Sequence, residues 1–323
     1  MPADIPPLIH TTGDALFELG DEGKPLIEGI LWDRDVVMML GSEKAGKSIL
    51  SMQMAFSLTS GEPFLDKYAI VEKVPIIYVQ TEGKRSDFTR RLIAMSNGTP
   101  IDRTLFHHCY RKFFPLEAEG SIAILDAMMK KLSPTPRVMY LDSLYTSMEG
   151  DLIDNKEVRR FFSVISPFLD KWKLTLVIIH HESKESFDME RREYIDRGDK
   201  GSYGSVFLRA FVEHILFLKK GRDKVRVFSC DTQRSGNVMD KEELILIEPD
   251  PLTFQLKGDH TPATELIRSH LFKTSPLTRE ILAERTLLSQ SALSNGLRIL
   301  LKEKIICKSN TRPTLYAVYG HTF

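Results

Sequence analysis

Continuous apolar runs alternate with helix-period segments through the first part of the chain, and that alternation predicts its organisation. VVMML at 36–40, VPIIYVQ at 74–80, RVMYLDSL at 137–144 and LTLVIIHH at 174–181 are β-rich and lack a polar face. Strands of this kind sit in a sheet covered on both sides. Between them, apolar positions recur at helical spacing. Leu50, Met54 and Leu58 form one stripe, ended by Gly61, and Phe88, Leu92 and Met95 form a second that stops at the turn signal Asn97-Gly98. Residues 122–132 form a third, ended by Pro134, and 156–172 a fourth, in which Pro167 predicts a kink or a break into two pieces. Strand, helix, strand, helix at this spacing predicts an α/β fold with a mainly parallel sheet and right-handed crossovers.

The pattern changes twice beyond 181. SKESFDMERREYIDRGDKGSYG, at 183–204, has no periodicity and mixes both charges, which predicts a mobile loop. HILFLKK, KVRVFSC, ELILIE and LTFQL then predict short strands that finish the sheet antiparallel. After Gly258 come three short helical patterns with serine or threonine at their starts, and then two short strands around a polar turn. Three helices and a small hairpin predict a winged helix. The chain thus divides into an irregular acidic lead-in at 1–25, an α/β domain at 26–258 and a small domain at 261–323. Irregular chain is expected to continue to about residue 30, a stretch with six carboxylates against Lys24.

Composition narrows the picture. The 323 residues suffice for one large core with a small appendage. Lysine plus arginine number 44, as do aspartate plus glutamate, so no global field recruits nucleic acid and any such contact needs a local patch. One exists: from Thr261 onward nine lysines and arginines face four glutamates, a net of +5. That excess suits a nucleic-acid-reading face, the other use of a winged helix being protein docking. The three cysteines are far apart and without C-x-x-C spacing, which fits a reducing cytoplasm. His107, His108 and Cys109 are adjacent on a short strand, so their side chains point to opposite faces and do not make a metal site. No charged leader and no 18-residue apolar run is present, so secretion and membrane spanning are not expected.

The chemistry starts at GSEKAGKS, residues 41–48, which fits G-x-x-x-x-G-K-[ST] between a buried strand and a helix. Successive backbone N–H groups in such a loop, with the first turn of the helix, form a cage for phosphate oxygens. Gly41, Ser42, Glu43, Lys44, Ala45, Gly46, Lys47, Ser48 and Ile49 are the expected nucleotide-binding residues. Lys47 would reach the β- and γ-phosphates and Ser48 would place its hydroxyl on Mg²⁺. Asp142 closes the third strand and either holds the metal through water or caps a helix. Glu82, just beyond the second strand, either activates an attacking water or is a solvated loop residue. His180 and His181 end the fourth strand. By period-two alternation one faces the core and the other the ligand edge, where an imidazole could meet the γ-phosphate.

The phosphate loop, Glu82, YLDSL, IIHHESK and the later TQRSGN together resemble the RecA-fold ATPases, especially the hexameric replicative helicases of the RepA and DnaB type, over about residues 26–250. The resemblance implies ATP and Mg²⁺, a homo-oligomeric ring of six, an ATP site between subunits, Glu82 as catalytic base and 5'-3' unwinding. It also implies that a K-x-R-x-G hairpin reaches across to the neighbour's γ-phosphate. The matching residues here run from Thr232 to Gly236, so Arg234 is the expected arginine finger while Thr232 stands where the family has lysine. The family's single-stranded-DNA loop matches 183–204, with Lys184, Arg191, Arg192, Arg197 and Lys200 available for phosphates. Six acidic residues share that loop, so only an ordered arrangement would bind, and a solvated loop is the alternative. With neither a primase-binding domain nor a tandem ATPase domain, the chain is most similar to the RepA type of plasmids and mobile elements. The winged helix would supply a duplex contact. A RecA-like recombination mediator and an ATP-gated regulator of replication or transcription are the alternative readings.

Overall fold

The structure is a computed structural model that describes residues 23–152, 154–181, 186–188, 193–195, 206–221, 225–232, 239, 241–257, 262–302 and 305–318. It divides into two compact units, residues 1–256 and 257–323.

The first unit opens with a hairpin, β1 (Pro25–Ile27) against β2 (Leu31–Trp32). The expectation of irregular chain to residue 30 is therefore corrected here. Leu26, Ile27, Ile30 and Leu31 are fully buried, so residues 25–32 are fixed by four aliphatic side chains, while residues 1–22 of the lead-in lie outside the described residues.

The remaining elements are β3 (Val36–Gly41), α1 (Lys47–Ser60), β4 (Ile76–Gln80), α2 (Arg85–Ser96), β5 (Phe106–Tyr110), α3 (Ser121–Met129) and β6 (Val138–Asp142). After these come α4 (Asn155–Trp172), β7 (Thr175–His181), β8 (Ser186–Asp188), β9 (Glu193–Ile195), α5 (Val206–Ala210), β10 (His214–Lys220), β11 (Val225–Thr232), β12 (Glu242–Ile247) and β13 (Thr253–Leu256). Nine of the strands make one sheet in the order β13-β12-β11-β10-β3-β7-β6-β4-β5. From β10 to β5 the pairings are parallel, and from β10 to β13 they are antiparallel.

Strand alternation sorts the apolar residues into two layers. Val37, Met39, Ile76, Tyr78, Val138, Tyr140, Val177 and Ile179 pack on one face, with α1. Met38, Leu40, Ile77, Val79, Met139, Leu141, Leu176 and Ile178 pack on the other, with α4. The continuous apolar runs follow from this double covering.

Two helices and one loop differ from expectation. α3 stops at Met129, short of the predicted 132, with Lys130 as its C-cap. α4 is one continuous helix through Pro167. Val158, Phe161, Phe162 and Ile165 before the proline and Phe168 and Leu169 after it are all buried in one core, so packing on both sides outweighs a cost of about 3 kcal/mol for the ring and the missing N–H. Within 183–204, β8 and β9 pair antiparallel, so the described part of that loop carries a short ladder. Its charged sequence alternates too weakly to reveal one.

The second unit contains α6 (Pro262–Lys273), β14 (Leu277–Thr278), α7 (Arg279–Thr286), α8 (Gln290–Lys302), β15 (Ile306–Lys308) and β16 (Leu315–Val318). The strands form a sheet ordered β14-β16-β15. Its core is aliphatic: Ile267, Leu271, Leu277, Leu282, Leu293, Leu297, Leu300 and Ile306. Thr278 caps α7 by accepting from the Ile281 N–H at 3.3 Å.

Candidate active site

The carboxyl ends of β3, β7, β6 and β4 lie side by side, and every described catalytic candidate sits on or just beyond them. They border a cleft of about 490 Å³ lined by Glu43, Lys44, Gly46, Lys47, Ser48, Ile49, Glu82, Asp142 and His181 among others. Two glycines shape the loop at its floor. A Cβ on Gly41 would lie 2.2 Å from the Leu218 carbonyl oxygen, and Gly46, at φ +102°, would press one onto the Phe254 ring at 2.7 Å. Ala45 is buried, and its carbonyl accepts from Arg226 Nε at 3.0 Å. The loop is thus tied to β11. Arg226 is a cleft residue that the sequence pattern did not reveal, since nothing local marks an arginine in a short strand as facing a loop 181 residues away.

Lys47 is buried, and its ammonium donates to the Gly41 carbonyl at 2.7 Å and the Ser42 carbonyl at 3.0 Å. It also meets His181 Nδ1 at 3.1 Å. An ammonium has no lone pair, so Nδ1 must be the acceptor and the imidazole proton sits on Nε2. Nε2 lies 3.6 Å from Glu82 Oε2. His181 therefore stands between the loop lysine and the carboxylate, presenting an acceptor to one and a donor to the other. The neighbouring His181 imidazole is the largest cause that lowers the Glu82 pKa to about 2, with Ser143 and Lys47 assisting against partial burial. Glu82 is ionised throughout the neutral range.

His180, one residue earlier, is nearly fully buried, and burial pushes its pKa down to about 4. The two adjacent imidazoles thus take opposite environments, as strand alternation requires.

Asp142 is buried beneath the cleft. Burial raises its pKa, opposed by hydrogen bonds from Ser48 and Tyr78. Tyr78 Oη donates to Asp142 Oδ2 at 2.9 Å and lies 2.9 Å from Ser51 Oγ. The Tyr78 ring stacks on Tyr140 with centroids 5.3 Å apart, which fixes where its hydroxyl points. Ser48 and Asp142 are a hard oxygen pair lining the same cleft, and that donor set fits Mg²⁺ shared with phosphate oxygens. Among the described residues no group of three or more histidine, cysteine or carboxylate side chains is arranged to hold a metal ion by itself. His108 instead stacks on Phe88 at 4.3 Å and meets Gln80 Oε1 at 3.2 Å.

Glu82 is held from behind. The Thr81 N–H donates to the Asp142 carbonyl at 2.7 Å, and its hydroxyl lies 2.7 Å from Thr146 Oγ1 and 3.1 Å from Ser147 Oγ. Gln80 Nε2 donates to the Glu82 carbonyl at 2.8 Å, and Tyr110 Oη to the Gly83 carbonyl at 3.1 Å. Tyr78, Gln80 and Thr81 escaped the sequence reading. The one signal was three hydrogen-bonding side chains inside and just after an otherwise apolar strand. Arg234 and the loop residues Lys184, Arg191, Arg192, Arg197 and Lys200 lie outside the described residues.

A glycine-bracketed phosphate loop between a parallel strand and its helix, with acidic residues at the neighbouring strand ends, defines a RecA-fold P-loop ATPase domain. The chain belongs to the AAA domain family, which it matches over residues 6–186. Among solved structures it is similar to a KaiC-like protein from the hyperthermophilic archaeon Pyrococcus horikoshii OT3, at TM-score 0.50 and 13% identity, over 72% of this chain and 94% of that one. It is also similar to the RadB recombinase at TM-score 0.46 and 17% identity, over 67% of this chain and 89% of that one. No curated protein matches the chain. No helix among the described residues is long and apolar enough to cross a membrane.

Proposed function

We propose that this chain is a Mg²⁺-dependent ATPase that acts on DNA as a homo-oligomeric ring, in the manner of the RepA-like replicative helicases. The observation that supports the reading is the line from Lys47 through His181 to Glu82, in which the loop lysine, an imidazole and a carboxylate follow one another along one cleft. Residues 41–49 hold the nucleotide. Ser48 and Asp142 hold Mg²⁺, which neutralises charge on the β- and γ-phosphates when bound. Glu82 orients the attacking water and takes its proton. His181, in contact with both Lys47 and Glu82, senses the γ-phosphate position and passes the state of the site to residues 183–204, which follow it in sequence. By the same resemblance, Arg234 serves the neighbouring subunit's site, and Lys184, Arg191, Arg192, Arg197 and Lys200 meet single-stranded DNA.

The order helix, strand, helix, helix, strand, strand in residues 262–318 supports a winged helix. Its excess of lysine and arginine supports contact with duplex DNA. A forked DNA duplex with a 5' tail tests the whole reading: strand separation should require ATP and Mg²⁺ and vanish in Lys47→Ala. ATP hydrolysis without separation of any fork would leave the ATPase and remove the helicase.

A further inference from the structure

Three aromatic side chains stand exposed on the rim that carries Glu82: Tyr110 at 39%, Phe113 at 56% and Tyr145 at 72%. Backbone hydrogen bonds place them there. The Arg111 N–H donates to the Gln80 carbonyl at 3.2 Å and the Phe113 N–H to the Thr81 carbonyl at 3.0 Å. The Phe114 N–H donates to the carbonyl of Thr146, the residue after Tyr145, at 2.9 Å. Thr146 in turn meets the Thr81 hydroxyl. The segments bearing Phe113 and Tyr145 are therefore both bonded to the residue that precedes Glu82.

Cations flank these residues along the chain. Lys84 and Arg85 follow the Gly83 carbonyl that Tyr110 holds, and Arg111 and Lys112 separate Tyr110 from Phe113. None of the four makes an ion pair among the described residues, and Arg111 lies over the Phe114 ring at 5.2 Å. Two acidic side chains on the same rim are engaged elsewhere, Glu149 with Arg160 at 3.4 Å and Glu82 with His181, and a third, Glu117, is turned inward with both carboxylate oxygens buried. Exposed π faces interleaved with uncompensated cations match a flexible polyanion that carries its own π faces. An apolar protein partner would leave these cations unanswered.

We propose that this rim is a contact for single-stranded nucleic acid, separate from residues 183–204, in which bases stack on Phe113 and Tyr145 while phosphates meet Arg85, Arg111 and Lys112. A strand held there shifts Thr81, and with it Glu82, so occupancy accelerates hydrolysis. The coupling rests on the ATPase reading above, whereas the contact itself does not. Because every base presents a face, binding is tolerant of sequence.

The test uses a fluorescent oligothymidylate, with anisotropy across a salt series and ATPase rates with and without it. Phe113→Ala and Tyr145→Ala should each weaken binding about tenfold. Arg111→Glu with Lys112→Glu should weaken it further and flatten its salt dependence. All three should lower the stimulation and leave the basal rate unchanged. If the wild type binds the oligonucleotide and these variants bind it equally well, this contact is wrong and the ATPase reading stands. If the wild type hydrolyses ATP and never binds the oligonucleotide, the contact is again overturned. If the wild type binds it through these residues and does not hydrolyse ATP, the ATPase reading fails and the contact survives. Variants that bind normally and change the sedimentation of the protein would make the rim an interface between copies of the chain, which also overturns the proposal.

Discussion

Around the cleft, polar side chains hold one another, several of them buried: Tyr78 holds Asp142, His181 joins Lys47 to Glu82, and Thr81 joins two loops through hydroxyls. Among the described residues of 257–323 the core cluster is instead built from leucine and isoleucine. Losing one partner in the first region strands another polar group in a buried place, which costs geometry as well as energy. Losing one side chain in the second leaves a void that the aliphatic neighbours partly fill. The first region should therefore fail in chemistry and the second in stability.

The largest effect expected from that contrast is at Glu82. Glu82→Gln keeps the size of the side chain and removes the ionised acceptor, so single-turnover phosphate release should slow by about 10²- to 10⁴-fold while ATP still binds in equilibrium titration. Lys47→Ala should instead lose binding. Turnover at the wild-type rate in Glu82→Gln would move water activation to another residue.

Leu297→Ala should act in the opposite way. Leu297 is 3% exposed in the aliphatic core, so the second unit should lose about 2 to 5 kcal/mol. Hydrogen exchange resolved by peptide would show faster exchange in 262–318 with the cleft peptides and basal ATPase unchanged. A matching fall in basal activity would mean that the two regions are one cooperative body.

A smaller effect should appear with pH. His180 is held neutral by burial with a pKa of about 4, against an ordinary value of 6.5 in the unfolded chain. Between those values the unfolded chain takes up a proton that the folded chain refuses. The stability is complete above about pH 6.5 and drains as pH falls toward 4, by about 2 kcal/mol at pH 5. Thermal melts should show a drop in Tm across this window, and His180→Phe should reduce it. Glu82, with its pKa near 2, stays ionised throughout. An unchanged pH slope in His180→Phe would assign the acid sensitivity to other groups.

Local order carried much of this protein. The phosphate loop is eight consecutive residues, and the placement of Asp142, Glu82 and His181 at or just beyond strand ends follows from apolar runs that stop where polar residues begin. Helices α1, α2 and α4 follow from apolar positions at helical spacing, because periodicity is a property of neighbours along the chain. Other features depend on which strands lie side by side. Lys47 meets His181, 134 residues away, only because β3 pairs with β7, and Tyr78 reaches Asp142, 64 residues away, only because β4 pairs with β6. Pro167 stays helical because residues on both sides of it share a core, and residues 25–32 form a hairpin because β1 and β2 pair and bury Leu26 and Leu31. These outcomes were decided by tertiary structure, since hydrogen bonds and burial between distant segments depend on strand order, which no single segment of sequence contains.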